Sequence, residues 1–449
     1  MLTKLHHWWQ EKRSSFWFVP ALMVLDVVVL ATVLITVDAT VDLNPVARWP
    51  LVFGAGAAGA RGLLTAVAGS MITVAGVVFS ITLVALSLTS SQYTSRVIRN
   101  FMRDRVNQMV LGVFVSIFAY CLVVLRTIRG GDEGAFVPAL AVLAGLILAF
   151  VGIAFLIYFI HYLSMSIQAS SIIAKAAQET IAAVDHLFPK EMDENEDEDG
   201  HDNLRASLAN QPWSAVTTLK TGYIENIDIN VLVGVARKHG TILRMECCIG
   251  EFVIEGTPLV SVINPDGLDD DTAVELNSAY VISRQRTVET DVAFGIRQIV
   301  DIAMKALSPS INDTTTAVIC VDYLAAILVR LAARRIATYH RFDQGDLRVL
   351  AQGPSFESLL SEAFDQIRQN AVGNIAIMSR ILCAFQTIAS LTSDSNRRRA
   401  IHERVECIAE LAERSIESPY DWTRFESRLR RVREALESFF SPEQKLPEA

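Results

Sequence analysis

Four apolar segments dominate the first third of the chain, and each is long enough to cross a bilayer, for which about 20 residues suffice. They run about Phe16 to Val37, Gly62 to Ser87, Met109 to Leu125 and Val137 to Leu163. Trp8, Trp9 and Trp17 stand where interfacial anchors belong at the start of the first segment. No small-residue cleavage site follows that apolar run, so the pattern predicts an uncleaved first span. The second segment is the most patterned. It passes without a helix breaker into a polar stretch carrying Arg96, Arg99, Arg103 and Arg105. Within it Thr73, Ser80 and Ser87 recur every seven residues, with Ser70 and Ser91 on the same helical face.

That stripe has two readings. Lipid offers no hydrophobic drive between helices, so small and hydroxyl residues mark where spans pack together. The same hydroxyls are also what a wet pathway through an oligomer would be lined with, and a ring of arginines at its mouth would favour an anion or another small ligand. The arginines have their own alternative, as positive-inside residues against anionic headgroups. Asp26 lies inside the first segment, where an ionisable group is costly. It predicts either a functional site facing the bundle interior or a hydrogen-bonded carboxyl that holds helices together. Lys4, Lys12, Arg13 and the four arginines outnumber Arg48, Arg61, Arg126 and Arg129 on the other side, which predicts both termini in the cytoplasm.

Beyond the fourth segment, SIQASSIIAKAAQETIAAVDHLF continues the helical pattern to Pro189, followed by the acidic run Glu191 to Asp202. Asn195, Asp197, Asp199 and Gly200 imitate a calcium loop, but Ala206 stands where the bidentate glutamate belongs, so a solvated linker is expected. From Trp213 to about Asn264 the period is that of strands, interrupted by a short helix at NVLVGVARKHG. VELNSAYVISRQRTVETDVAFGIRQIVDIAMKALSP reads as one long amphipathic helix, with Asp291, Arg297 and Asp301 spaced for i,i+4 pairing. Pro309 stops it, and Asp313 or Thr314 caps the next helix. The turn Ser308–Pro309–Ser310–Ile311–Asn312–Asp313 is either that cap or an anion site at a helix start. VICVDYLAAILVRL raises a fifth span, but it is short and contains Asp322, so a buried helix outside the membrane is expected. Ser355 to Phe440 reads as two or three amphipathic helices.

Composition adds exclusions. The chain has 449 residues, 51% of them hydrophobic, and a formal net charge of −9, with the acidity mainly beyond residue 185. No basic field or zinc-finger pattern points to nucleic acid. The six cysteines form no C-x-x-C, and the adjacent Cys247 and Cys248 do not have metal-ligand spacing. The eight histidines are dispersed, and no P-loop, G-x-S-x-G, H-E-x-x-H or dinucleotide-binding pattern occurs. Neither an enzyme nor a cofactor or metal protein is expected.

Two resemblances follow from particular phrases. SSQYTSRVIRNF and FGIRQIVDIAMKALSPSIND resemble a bacterial family of predicted multi-pass membrane proteins of unknown function, a likeness that covers nearly the whole chain. It implies an envelope protein and brings no catalytic residues. The shorter segment with Gly250, Val253, Gly256 and Leu259 resembles the turn of biotinyl and lipoyl-type barrel-sandwich domains. No lysine lies between Leu259 and Lys305, so the resemblance implies a structural or ligand-sensing barrel without a carrier role.

The expected architecture is a four-span transmembrane domain over 1–165, a helical extension and acidic linker over 166–211, a small β barrel-like domain over 212–265 and a helical domain over 266–449. The expected protein sits in the bacterial inner membrane, in contact with the lipid bilayer and with copies of itself. Its function is either an oligomeric permeation pathway lined by the second span or a membrane-anchored sensor or scaffold.

Overall fold

The computed structural model describes residues 17–40, 56–92, 104–130, 136–188, 211–263, 269–334, 336, 341–343, 346–351, 353–392 and 394–437. The chain divides into two compact units, 1–171 and 172–449.

The first unit holds α1 (Phe18–Thr40), α2 (Ala57–Gln92), α3 (Arg105–Thr127) and α4 (Ala139–Ser166). All four are long and apolar enough to cross a membrane. Each is an unbroken apolar run in which a helix satisfies every backbone group internally, as lipid requires. α3 is the central helix and packs against the other three, while α1 and α2 each pack on α3 rather than on one another. Phe114, Ile117, Tyr120 and Cys121 of α3 are buried in the core with Leu64 of α2 and Phe159 of α4. Small residues set the spacing. A Cβ on Gly145 would stand 2.8 Å from Leu64 Cδ2 and 3.4 Å from Tyr120 Cε1. Such close approach is how helices associate where the solvent is itself apolar. The Tyr120 hydroxyl donates to Ala141 O at 2.7 Å and ties α3 to α4.

The second unit begins with α5 (Ala169–Leu187). The helical pattern of the sequence breaks at Ile167 and Gln168, so α5 is a separate helix rather than an extension of α4. Its strands are β1 (Trp213–Thr217), β2 (Gly222–Ile227), β3 (Leu243–Met245), β4 (Phe252–Val253), β5 (Pro258–Ile263), β6 (Tyr280–Ser283), β7 (Arg341–Asp343) and β8 (Asp346–Leu350). They form one sheet of order β1-β5-β3-β8-β7 and a second of order β4-β2-β6. The β3–β8 pair is parallel, Leu243 facing Val349, and the other pairs are antiparallel. α6 (Ile229–Lys238) and α7 (Asp270–Ser278) flank the sheets. Their shared core includes Ile224, Leu232, Leu243, Val260 and Val349.

The β region therefore does not end near 265. The long amphipathic helix expected from Val274 to Pro309 is two helices with β6 between them. α7 stops at Ser278, and Tyr280–Val281–Ile282 extends because β2 offers it an edge, with Ile224 opposite Ile282 and Ile227 opposite Tyr280. This is tertiary pairing overriding a local helical period. β7 and β8 also lie in the stretch expected to be purely helical.

The helical part comprises α8 (Val292–Ala306), α9 (Thr314–Ala332), α10 (Phe356–Gln369), α11 (Ile375–Ser390), α12 (Ser395–Ser415) and α13 (Pro419–Glu437). Four helices, not two or three, follow Ser355. Their boundaries are Gly373 in positive φ, the N-caps Asn374 and Asp394, and Pro419 at a helix start. α9 is the fifth helix long and apolar enough to cross a membrane. It packs against α8, α10 and α11, and Asp322 on it pairs with Arg380 of α11. Arg397 of α12 is buried and donates to Ala332 O and Arg334 O, both at 2.9 Å. It thereby satisfies carbonyls at and beyond the end of α9. α5 is held to α9 by Arg330, which donates to both oxygens of Asp185 at 2.6 and 2.8 Å, and by Arg334, which also pairs with Asp185.

Candidate functional site

The exposed face of α2 carries four of the five hydroxyl residues the sequence singles out. Leu64, Ala68, Met71, Ala75 and Val78 are buried on one side of the helix. Ser70, Thr73, Ser80 and Ser87 lie exposed on the opposite side, together with Gly62, Ala66, Gly69 and Gly76. A Cβ built on Gly62, Gly69 or Gly76 meets nothing within 4 Å. Among the described residues, the stripe is therefore a seam of small residues turned away from the other apolar helices of the unit. The buried hydroxyl of α2 is Thr82, which was not singled out and which donates to Val78 O at 2.8 Å. Ser91 lies in α2 with its side chain outside the described residues.

The hydroxyls at the middle of the seam have committed their protons. Ser70 donates to Ala66 O at 2.9 Å and Thr73 to Gly69 O at 2.8 Å. What these groups present outward is acceptor capacity.

Asp26 does not face the bundle interior. It is exposed on α1 between Leu22, Val29, Leu30 and Val33, and makes no hydrogen bond or ion pair among the described residues. The interior-facing position is denied because Met23 and Val27 take the contacts with the core on that stretch of α1.

Depth in the bundle follows from close approaches and from the helix ends. Asp38 near the end of α1 accepts from Leu140 N and Ala141 N at the start of α4, at 3.2 and 3.1 Å. At the opposite end of the bundle Tyr162 of α4 donates to Asp104, the N-cap of α3, which accepts from Val106 N at 2.9 Å. α1 and α3 thus run in one direction and α4 in the other. α2 runs with α4, since Arg61 near its start donates to Ile128 O beyond the end of α3 at 2.7 Å. A Cβ on Gly112 of α3 would stand 2.6 Å from Met23 Sδ of α1. One on Gly152 of α4 would stand 3.0 Å from Met71 Sδ of α2 and 3.1 Å from Ile117 Cδ1 of α3. Asp26 is one turn beyond Met23, Ser116 one turn beyond Gly112 and next to Ile117, and Thr73 two residues from Met71. The three therefore share a level to within about one turn, or about 5 Å. Ser116 is the central residue of the 23-residue α3. It is buried, and its hydroxyl has no hydrogen-bond partner among the described residues. Mid-span, then, the unit carries a polar layer of Asp26, Ser116 and Thr73.

The basic residues divide. Arg105 is the exposed first residue of α3, while Arg96, Arg99 and Arg103 lie outside the described residues, as does the acidic run from Glu191 to Asp202. Asp38 and Asp104 were missed in the sequence. Their signal is an acidic residue in the last turn of one apolar run and immediately before another.

The polar residues of the second unit are brought together for packing. Asp291 caps α8, accepting from Phe294 N at 3.0 Å, and receives Arg286 Nε at 2.6 Å. Arg297 reaches α10, to Glu362 and to Gln366 Oε1 at 2.8 Å. Asp301 is half-buried on the same helix. In the turn before α9, Ser308 donates to Lys305 O at 2.7 Å and Asn312 takes a φ of 50°. Asp313 accepts from Thr316 N at 3.0 Å and Thr316 Oγ1 at 2.6 Å, bonds that hold its carboxyl below the usual carboxylate range. The place an anion would take at this helix start is filled by the chain's own carboxylate. Gly250 and Gly256 adopt φ of +89° and +90°, a region glycine reaches without steric cost, and Val253 and Leu259 are buried. Burial pushes the Cys247 and Cys248 thiols up to about 11, so they are neutral near pH 7. Among the described residues no cluster of three or more His, Cys, Asp or Glu could hold a metal.

Comparison with known proteins agrees with the membrane character of the first unit. A family of predicted membrane proteins, DUF2254, matches residues 13–387. An uncharacterized protein of Mycobacterium bovis and one of Mycobacterium tuberculosis are each 34% identical over 370 residues, covering 81% of this chain and 70% of the relative. No solved structure matches.

Proposed function

Given that the chain belongs to the DUF2254 family of predicted membrane proteins, we propose that it is a four-span protein of the bacterial inner membrane whose copies assemble around a permeation pathway bordered by α2. The carrying observation is the outward seam of α2, where Gly62, Gly69 and Gly76 share one exposed face with Thr73, Ser80 and Ser87. Four spans enclose little space, and α3 fills the middle of the bundle, so a path for solutes requires an axis between copies. A seam of small and hydroxyl residues suits both close packing of spans and contact with water.

The count of four spans is supported by the setting of α9, which packs against three helices of the second unit and pairs Asp322 with Arg380. The excess of Lys and Arg beside the first span and between the second and third supports cytoplasmic termini, which puts Arg105 at the cytoplasmic mouth. In this reading Arg96, Arg99, Arg103 and Arg105 favour anions.

The test is conductance of the purified chain in planar bilayers, with Ser80→Trp as a paired protein. Currents whose reversal potential follows an ion gradient, lost in a Ser80→Trp protein that still assembles, are the expected result. Silence of the unaltered chain across pH, voltage and membrane tension would refute permeation and move the reading to a membrane-anchored sensor or scaffold.

A further inference from the structure

Asp26 and the seam of α2 raise one question from two sides. A carboxyl at mid-span, exposed and without a partner among the described residues, is among the costliest groups to leave against lipid. On a different helix, Ser70 and Thr73 present acceptor lone pairs outward because their own protons are spent on Ala66 O and Gly69 O. Thr73 lies at the level of Asp26, and Ser70 is one turn from Thr73. A protonated carboxyl has one O–H to donate, which is what these acceptors lack. The two groups are complementary in chemistry and in depth.

They do not meet within one chain. α1 and α2 pack on α3 rather than on each other, and both polar faces point away from the core. We propose that they meet between copies, with Asp26 of one chain, as the neutral acid, donating to Thr73 or Ser70 of the next. The contact is heterologous, since different surfaces of the two copies are used. Repeated by a rotation that closes, such a contact builds a ring. It uses the middle of the seam and leaves Ser80 and Ser87, two and four turns nearer the Asp104 end, free of the contact. The site is incomplete in a single chain: donor and acceptors come from different copies.

This inference rests on the assembly part of the reading above and is independent of whether the assembly conducts. Two measurements test it in the full chain in lipid nanodiscs or detergent. The first mixes two differently tagged proteins, Asp26→Cys and Thr73→Cys, in a background with the six native cysteines replaced, under mild oxidation. The expected product is the mixed Asp26→Cys/Thr73→Cys link. Links only between identical tags would overturn the heterologous contact. The second needs no cysteine replacement and compares assembly mass for Asp26→Asn and Asp26→Leu. The amide still donates, so Asp26→Asn is expected to assemble as the unaltered chain does. Asp26→Leu is expected to weaken each contact about 3- to 30-fold, the range for an interhelical hydrogen bond in lipid. Unchanged assembly of Asp26→Leu would overturn the proposal. If Asp26→Leu assembles and conducts normally, this contact fails and permeation stands. If the mixed link forms in a protein that is silent in bilayers, the contact stands and permeation fails.

Discussion

Gly295→Ala is the substitution whose outcome the packing of α5 determines most directly. A Cβ on Gly295 of α8 would stand 2.9 Å from Thr180 Cγ2 and 3.0 Å from Thr180 Cβ, with Oγ1 closer still. Thr180 is fully buried on α5, and its hydroxyl is held by Ala176 O at 2.7 Å. The obstacle is therefore a β-branched side chain with little rotamer freedom, not the end of a flexible one. Two terms compete. Alanine in place of glycine favours the helix by about 0.8–1.0 kcal/mol. Overpacking a filled contact costs typically about 1–3 kcal/mol. The contact is tight enough for the second to win, giving a net loss of up to about 2 kcal/mol and a fall in Tm of up to roughly 8 °C. The assay is thermal unfolding of the full chain in detergent followed by intrinsic fluorescence. Combining Gly295→Ala with Thr180→Gly moves the missing side chain from one helix to the other. The double protein should lose less than the sum of the single changes by about 1 kcal/mol or more. A Gly295→Ala protein as stable as the unaltered chain, or more so, would refute the reasoning, because the helical preference of alanine would then be unopposed.

Further outcomes follow from the same second unit. Gly250→Ala places a Cβ 2.9 Å from an Arg286 guanidinium nitrogen and closer to Asp291, at a φ of +89°. Gly256→Ala, at +90° in open space, meets the strain without the collision. Both should lose about 1–3 kcal/mol from strain, with Gly250→Ala the less stable in denaturant titrations; equal losses would show that the Arg286–Asp291 pair yields freely. The hydrogen bond from Arg330 holds the Asp185 carboxyl below its ordinary value of 3.8. A carboxylate depressed in the native state stabilises it above the unfolded value, and the contribution is lost as the pH falls through the lowered native value. The Tm gap between the unaltered chain and Asp185→Asn should therefore be widest near neutrality and narrow below pH 3.8. A gap independent of pH would show that the ion pair contributes only packing.

The long apolar helices of the first unit were legible because lipid makes one demand on a long apolar run, and a helix of suitable length meets it. The hydroxyl face of α2 was legible as a face but not in its direction, since a periodic stripe does not say whether a neighbour from the same chain covers it. Asp26 misled for a related reason. The rule that an intramembrane carboxylate faces inward assumes that the interior belongs to one chain. In the second unit, β6 was hidden because Tyr280–Val281–Ile282 fits a helical period locally and becomes a strand only beside β2. The pairing of Asp291 was hidden too. Spacing offered Asp301, four residues on, to Arg297, while the fold brought Arg286 across the turn to Asp291 and sent Arg297 to Glu362.

The hydrogen bonds between Asp38 and the first amides of α4 also set an order in time. Asp38 precedes Leu140 by 102 residues. At a synthesis rate of about 5–20 residues per second, α1 waits roughly 5–20 s for the helix it caps. Amides of α4 that enter the bilayer edge before Asp38 is alongside would each cost several kcal/mol unless water still reached them. The start of α4 is thus completed by a residue made long before it. A chain whose first span is delayed in insertion should hold its fourth span at the interface until the first arrives.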